Sequence, residues 1–307
     1  MKRLNDRNVV ETYFEGQHLS LSDLKEEDIK NGYLFKNNIP AYPESVEFQV
    51  QKLSHVTGRH GLEGIFHDSG FRPSDTSNFL WWGLSVSPDD IRSAEQRFLA
   101  SLFPHTQIYN PQPFLEYFTT SKAFQKESPY GNFCFTFSFR ELLHLYGAQF
   151  CTGTPVLRVY ETVLYRREIL YTIVVHPRNI HLYDSYPRLP DIGDGVCGYR
   201  DYNIWWHCQA PSETYMHRLN VNRRNSSVHV NPHKEEYYVW DHVCVAFHME
   251  PDWVLHVKPN ELLKKVNVCE VSQPCLLKPP ETPLSFHEAE NILHNLKVRK
   301  GMAGAFN

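Results

Sequence analysis

The stretch that decides the fold is "KLSHVTGRHGLEGIFHDSGFRP" at residues 52–73. An apolar strand carries His55 near its end, and a glycine turn then leads into a short amphipathic helix. The apolar face of that helix consists of Leu62, Ile65 and Phe66. Gly70 predicts the C-terminal end of the helix. His55 then has two interpretations: it packs in the core, or it faces a pocket that a ligand enters.

The composition is that of a folded chain with no strong overall charge. Of 307 residues, 41% are apolar and 14% aromatic, which suits a large core and argues against global disorder. The formal net charge of −4 gives no general electrostatic case for binding nucleic acid or a membrane surface. The seven cysteines contain no CxxC pair, so we expect reduced thiols in a cytosolic or nuclear compartment, and a cytoplasmic location. We expect neither a signal peptide nor a membrane-spanning segment.

Alternating, β-branched and aromatic segments predict strands along most of the chain. The predicted strands are 46–56, 78–87, 133–139, 155–165, 168–177, 235–249 and 252–257. The clearest helix spans 87–103, with Ser87 as its cap and Pro88 at its first position. A closing helix is predicted at 285–300, and a long irregular excursion at 178–232.

The order of these elements predicts the domain organisation. Residues 1–45 are expected to form an N-terminal extension packing on the core, with a helix capped by Ser22 or Asp23. The main domain would span 46–277, followed by a C-terminal helix and tail at 278–307. Strand, helix, strand, helix and then several strands indicate an α+β fold with a mainly antiparallel sheet.

Three segments carry the candidate functional residues: "SHVTGRHG" (54–61), "GLSVSPDDIRSAEQRF" (83–98) and "EEYYVWD" (235–241). In this order they resemble the catalytic domain of the poly(ADP-ribose) polymerase, or ADP-ribosyltransferase-like, superfamily. That family has a His-Gly-Thr/Ser strand, a second strand followed by a helix beginning Ser-x-Ser-Ala-x-Tyr, and a Glu-Tyr-x-Val-Tyr-Asp strand. The resemblance covers roughly residues 45–257. The whole chain is also similar to the fish virus- and interferon-inducible proteins of the grass-carp-haemorrhagic-virus-induced gene 2 family.

This resemblance implies an ADP-ribosyltransferase-like fold, a mainly antiparallel split sheet with flanking helices, and NAD as the cofactor. Glu236 takes the catalytic place, where a carboxylate stabilises the positive charge that develops on the ribose. His55 would position the dinucleotide through the adenosine ribose. The residues that match cofactor-binding positions are His55, Val56, Thr57, Ser85, Ser93 and, as a replacement ring, Trp82.

The chain departs from the family pattern at the nicotinamide-binding positions. Val56 replaces a glycine whose backbone contacts the nicotinamide amide, and Ser85 replaces a tyrosine that stacks on the ring. The tyrosine of the helix falls at Gln96, or at Phe98 if the register shifts. Trp81, like Trp82, is a candidate to supply the missing ring.

A second carboxylate competes for the catalytic role. Glu168 also begins an apolar strand, in "YRREILYTIVV". Glu236 is preferred because a strand like "ILYTIVVHP" normally precedes the catalytic strand in the family that the chain resembles. Glu235 is expected to be solvated.

The resemblance leaves two functions open. The first is an NAD-dependent mono-ADP-ribosyltransferase of the innate antiviral response, modifying a protein or nucleic-acid acceptor. The second is a catalytically inactive version of the same fold that acts as a protein- or RNA-binding antiviral factor, which Val56 and Ser85 favour. An unrelated α+β binding protein is the third interpretation.

Other chemistries have weaker support. The intervals between His242, His248 and His256 match no metal-binding motif, so we expect no metal site. The basic runs at 222–227 and 296–301 are short and are typical of a solvated surface, with weak RNA contact as the alternative. No segment predicts membrane association.

Overall fold

The protein is described here by a computed structural model. The described residues are 1–4, 10–20, 22–23, 46–73, 77–106, 113–118, 123–124, 126–165, 168–189, 193–208, 217–232, 240–273, 275–277 and 280–303. The strands in the first half are β1 (Lys2–Leu4), β2 (Val10–Glu15), β3 (Val46–Val50), β4 (Lys52–Thr57), β5 (Gly70–Phe71), β6 (Phe79–Ser85), β7 (Glu127–Ser128) and β8 (Phe133–Ser138). Those in the second half are β9 (Val156–Tyr165), β10 (Glu168–His176), β11 (Cys197–Arg200), β12 (Asn203–Cys208), β13 (His217–Asn222), β14 (Ser227–Pro232), β15 (Trp240–His248), β16 (Leu255–His256), β17 (Val266–Val268) and β18 (Glu270–Val271).

Five α-helices have described bounds. They are α1 (Arg59–Asp68), α2 (Pro88–Leu102), α3 (Phe139–Phe150), α4 (Pro259–Lys265) and α5 (Phe286–Ala303). The strand-rich mixture of both element types confirms the prediction of an α+β fold.

A nine-stranded sheet organises the chain, in the order β1–β2–β9–β10–β15–β6–β4–β8–β17. Its neighbouring strands are antiparallel except β10 and β15, which are parallel. The sheet is therefore mainly antiparallel, as predicted. A smaller sheet of β11, β12 and β3 packs beside it.

Side chains alternate between the two faces of the sheet along β8. Phe133, Phe135 and Phe137 of β8 are buried on one face, whereas Cys134 and Thr136 between them are half-buried on the other. The buried face continues across the neighbouring strands and packs against α1 and α3. The strands contribute Leu53, Leu84 and Val245 to this core, and the helices contribute Leu62, Phe66 and Leu142.

The predicted strand at 46–56 is two strands in two sheets. Residues 46–50 pair with β12, whereas residues 52–57 pair with β6 and β8. Gln51 is the break between them, and its carbonyl accepts a hydrogen bond from the Phe139 N–H at 2.8 Å. The two strands bury residues of opposite parity, Val46, Phe48 and Val50 in β3 but Leu53 in β4, so the alternation changes phase at the break.

The helix predicted after His55 ends at Asp68, two residues before its glycine. Ser69 takes the left-handed conformation, with φ 51°, and Gly70 begins β5. A Cβ at Gly70 would lie 2.5 Å from the carbonyl oxygen of Leu255, so glycine is needed there for close strand pairing.

Other differences concern regions that were predicted to be irregular or separate. The stretch 178–232 contains β11 to β14 and is therefore not wholly irregular. In the N-terminal extension, β2 pairs with β9 and so extends the central sheet. Ser20 and Asp23 exchange the hydrogen bonds of a capping box, whereas the prediction placed the cap at Ser22 or Asp23.

The two predicted helices α2 and α5 lie close to their expected bounds. Ser87 caps α2 through a capping box with Asp90, and α5 spans the predicted closing helix. The predicted strand 252–257 is reduced to Leu255–His256. Helix α3 was not predicted, although Ser138 and Glu141 form a capping box at its start.

Candidate functional site at the opening between β4 and β6

The central sheet opens between β4 and β6. Their ladder contains three pairs and ends at Ser54 with Gly83. On its other side, β4 stays paired with β8 as far as Thr57. Likewise β6 stays paired with β15 as far as Phe79. We call the gap between residues 55–57 of β4 and residues 79–82 of β6 the split.

The imidazole of His55 bridges the split. Its Nδ1 lies 2.9 Å from the backbone oxygen of Trp81. A carbonyl oxygen only accepts, so Nδ1 carries the hydrogen and Nε2 of the neutral ring is an acceptor. Burial lowers the pKa of His55, while the hydrogen bond to the Trp81 carbonyl opposes that shift. The ring is therefore neutral near pH 7.

The backbone of Val56 faces the split. The bond from Phe139 N–H to the Gln51 carbonyl shows that odd-numbered residues of β4 direct their polar groups toward β8. Because direction alternates along a strand, the N–H and C=O of Val56 point toward β6. They lie beyond the last pair of the β4–β6 ladder. Trp81 would be the next partner of Val56 in that ladder, but its backbone oxygen accepts the hydrogen bond from His55 instead. One donor and one acceptor on a strand edge match a primary carboxamide.

Aromatic rings support His55 from the buried face. The ring centroid of His55 lies 5.4 Å from that of Phe71 and 5.5 Å from that of Trp82. Trp82 is 1% exposed, so it packs in the core and cannot stack on a ligand in this arrangement. Its neighbour Trp81 is half-buried and is the better placed of the two predicted replacement rings.

Small, half-buried side chains line the opposite face of the sheet beside the split. Ser54, Gly83 and Ser85 lie on this face. A Cβ added at Gly83 would have His242 Cε1 as its nearest described neighbour, at 3.8 Å, so there is space beside this glycine. Burial raises the pKa of the Cys134 thiol, which is therefore protonated at neutral pH. This face offers hydroxyl and backbone groups to a ligand, and Ser85 supplies no ring.

Ser93 is not brought to the split by any described hydrogen bond. It lies on the exposed side of α2, where its hydroxyl oxygen accepts a hydrogen bond from Arg97 at 2.6 Å. The same guanidinium donates to the Glu47 backbone oxygen at 3.0 Å. In this structure the Ser93 hydroxyl is therefore engaged with its own helix.

Glu281, which the sequence analysis did not identify, lies against the turn that follows β4. The Glu281 carboxylate accepts a hydrogen bond from the His60 N–H at 2.9 Å, at the N-terminus of α1. It lies so close to Gly58 that a side chain at that position would collide with it. Thr57, half-buried at the end of β4, lies against Gly61 of the same helix. No local motif marks Glu281, because it reaches this site from more than 200 residues away.

Of the two candidate catalytic carboxylates, the structure describes the backbone of only one. Glu236, with Glu235, lies outside the described residues. The backbone of Glu168 begins β10 and pairs with Tyr165 and Trp240. In the sheet, β15 is two strands from β4 and β10 is three strands from it.

Two buried histidines outside the split, His248 and His176, are held in structural networks. His248 is buried, with Nδ1 2.8 Å from the Tyr183 hydroxyl and Nε2 3.3 Å from Glu250. The buried Arg158 donates to His176 Nε2 at 3.2 Å. Within the described ranges, no group of three potential ligands is placed to hold a metal ion.

Comparisons of the chain with known protein families, with curated proteins and with solved structures gave no match. In the part of the chain that is described, no helix combines the length and apolar character needed to cross a membrane.

Proposed function

We propose that this protein binds NAD at the split and is an ADP-ribosyltransferase-like protein that transfers one ADP-ribose unit to a protein or nucleic-acid acceptor. The observation that carries this proposal is the Val56 backbone, whose N–H and C=O face the split beside His55. This is the position where the resemblance expects the nicotinamide amide to bind. A mainly antiparallel sheet with a local opening agrees with an ADP-ribosyltransferase-like fold. A role in the innate antiviral response rests on the family resemblance alone.

The residues at the split have distinct tasks in this proposal. Val56 binds the carboxamide through its backbone, and the free Nε2 acceptor of His55 takes a ribose hydroxyl. A carboxylate, Glu236 with Glu168 as its competitor, stabilises the oxocarbenium-like ribose. The ribose–nicotinamide bond breaks with its electron pair on nicotinamide. The acceptor nucleophile bonds to the same ribose carbon and loses its proton.

A catalytically inactive fold is the second candidate function, as a protein- or RNA-binding antiviral factor. Two observations favour it: Ser93 is bonded to Arg97 on the exposed side of α2, and Trp82 is buried. With Ser85 lacking a ring, the half-buried Trp81 would have to supply the aromatic face that the tyrosine provides in the family.

Calorimetric titration of NAD into the purified chain tests the proposal. We expect saturable binding that is lost in His55→Ala and kept in His67→Ala, because His67 is 87% exposed on α1. Thermal melting of both variants checks that they fold. Equal binding by His55→Ala and wild type, or no binding at millimolar NAD, would contradict NAD binding at the split.

A transfer assay with labelled NAD then separates the two candidate functions. Transfer that is abolished by Glu236→Gln and retained by Glu168→Gln would assign the carboxylate. The reverse result would assign Glu168. NAD binding without transfer in the wild type would favour the inactive fold.

A further inference from the structure

A second cleft lies on the buried-face side of the sheet, away from the split. It has a volume of about 730 Å³ and is bounded by α3, by the turn leading into β9 and by the hairpin of β11 and β12. Its floor is apolar and its rim carries cationic and aromatic side chains. The lining residues used below are Leu143, Leu157, Arg178, Arg188, Tyr199 and Tyr202. We call it the arginine–tyrosine cleft; no residue of β4 or β6 lines it.

The rim of this cleft has an excess of positive charge. Arg178 and Arg188 are both exposed, and no described carboxylate forms an ion pair with either of them. The pKa of the neighbouring Arg158 is lowered, first by burial and then by the like charge of Arg188. Arg188 therefore adds to the positive potential around Arg158. The described carboxylate nearest to Arg158 is Asp184 at 3.5 Å, and it also bonds His181 at 2.8 Å. An anion would be attracted to this end of the sheet.

Tyr199 and Tyr202 pack edge to face along the hairpin side of the cleft. Their ring centroids lie 6.5 Å apart. Tyr202 is 38% exposed, and the Arg140 guanidinium lies 5.1 Å from its ring centroid. The His144 ring packs against it edge to face at 5.7 Å. The Tyr202 ring is therefore held at the rim while it remains accessible.

The backbone under Tyr202 is strained. Asp201 and Tyr202 form the two-residue turn of the hairpin with φ values of 50° and 64°. Such turns favour glycine and asparagine, because other side chains pay a conformational cost at positive φ. A bulky ring kept in a left-handed conformation, beside a cleft, is an observation that motivates a functional hypothesis.

We propose that the arginine–tyrosine cleft binds a small nucleotide, with Arg178 and Arg188 on its phosphate and a tyrosine ring against its base. Guanidinium groups match phosphate oxygens in charge and geometry, and tyrosine offers a flat surface for stacking. The apolar floor at Leu143 and Leu157 lets the ring be desolvated. This proposal does not rest on NAD binding at the split.

Calorimetric titrations of the full chain with AMP, inorganic phosphate and adenosine test the charge and ring contributions separately. We expect AMP to bind, and phosphate and adenosine to bind at least tenfold more weakly. The double variant Arg178→Gln/Arg188→Gln should weaken AMP binding by tenfold or more. Arg92→Gln is the matched control, because Arg92 is an exposed arginine on α2 that pairs with Asp89, and its affinity should not change.

Two further variants locate the ligand. Tyr202→Gly removes the ring from a turn that suits glycine, so we expect weaker AMP binding with an unchanged or higher melting temperature. His55→Ala should leave AMP binding intact, which separates this cleft from the split. The proposal is overturned if AMP does not bind at millimolar concentration, if the double arginine variant binds it normally, or if an oligonucleotide binds while AMP does not.

Discussion

The Nδ1 atom of His55 donates to the backbone oxygen of Trp81 across 2.9 Å, at the place where the β4–β6 ladder stops. A side chain thus takes the acceptor that the next backbone N–H of the ladder would have used. The bond fixes one tautomer of His55 and leaves the polar groups of Val56 facing the split. Packing and ligand binding are therefore compatible roles for this histidine: Nδ1 serves the fold, and Nε2 remains an acceptor.

Acid should destabilise the protein through its neutral histidines. Burial lowers the pKa of His55 and of His176 from the usual 6.5. The unfolded chain then binds more protons than the folded one below about pH 6.5, so this contribution to stability is complete above that pH and is lost as pH falls. Urea unfolding between about pH 7 and pH 5 should show this decline. His55→Asn should flatten it and the exposed His67→Asn should not; an equal slope in all three proteins would contradict the assignment.

Glu95 is expected to be a structural carboxylate. It is 5% exposed, and its Oε1 accepts the N–H groups of Phe114 and Leu115 at 2.7 and 2.8 Å. Glu95→Ala leaves both donors without this partner and should lower the free energy of unfolding by about 2 kcal/mol. Glu63→Ala, which removes an exposed pair with Arg59, should cost about 0.5 kcal/mol or less. Similar costs for the two variants in urea unfolding would refute the capping role.

Glu281 should behave as an internal anion at the N-terminus of α1. Because its carboxylate accepts the His60 N–H, Glu281→Ala should lower stability by about 1 kcal/mol. The vacated helix end should then attract an external anion. We expect sulfate to raise the melting temperature of Glu281→Ala more than that of the wild type or of Glu290→Ala, an exposed control on α5. An equal rise in melting temperature with sulfate in all three proteins would contradict a role for Glu281 as the anion at this helix end.

Restoring the family residues at positions 56 and 85 should strengthen NAD binding. Val56→Gly removes the side chain beside the proposed carboxamide contact, and Ser85→Tyr adds a ring on the half-buried face of β6. The glycine costs about 1 kcal/mol of stability in the strand. NAD affinity measured by calorimetry should rise for the double variant. A decrease in affinity, with the fold intact by melting, would contradict the assignment of Val56 and Ser85 to the nicotinamide end.

The local sequence predicted the elements whose signals are self-contained. Ser87 and Pro88 marked the start of α2, and alternation in 133–139 identified β8 with its two faces. The capping box of Ser138 and Glu141 would also have identified α3 had it been used. These signals are visible because hydrogen bonds within one turn and side-chain alternation along one strand depend on neighbouring residues.

The candidate site was predicted only in part, for a physical reason. The sequence placed His55 and Val56 near each other, but a motif cannot show that a ladder ends after three pairs. It also offered Trp81 and Trp82 equally, and only the packing on each face of β6 shows that Trp82 is buried and Trp81 half-buried. The catalytic role of Glu236 stays a prediction, since that residue lies outside the described part of the chain.

The sequence by itself determined the α+β class, the alternation that places the phenylalanines of β8 on one face, and the strand that carries His55. Only the tertiary structure decided that the sheet opens at Val56, that Glu281 closes the end of α1, and that Arg178, Arg188 and Tyr202 share one cleft. Each of these features joins residues that are far apart in the chain. Such contacts depend on strand order and on long-range register, which no local pattern of residues encodes.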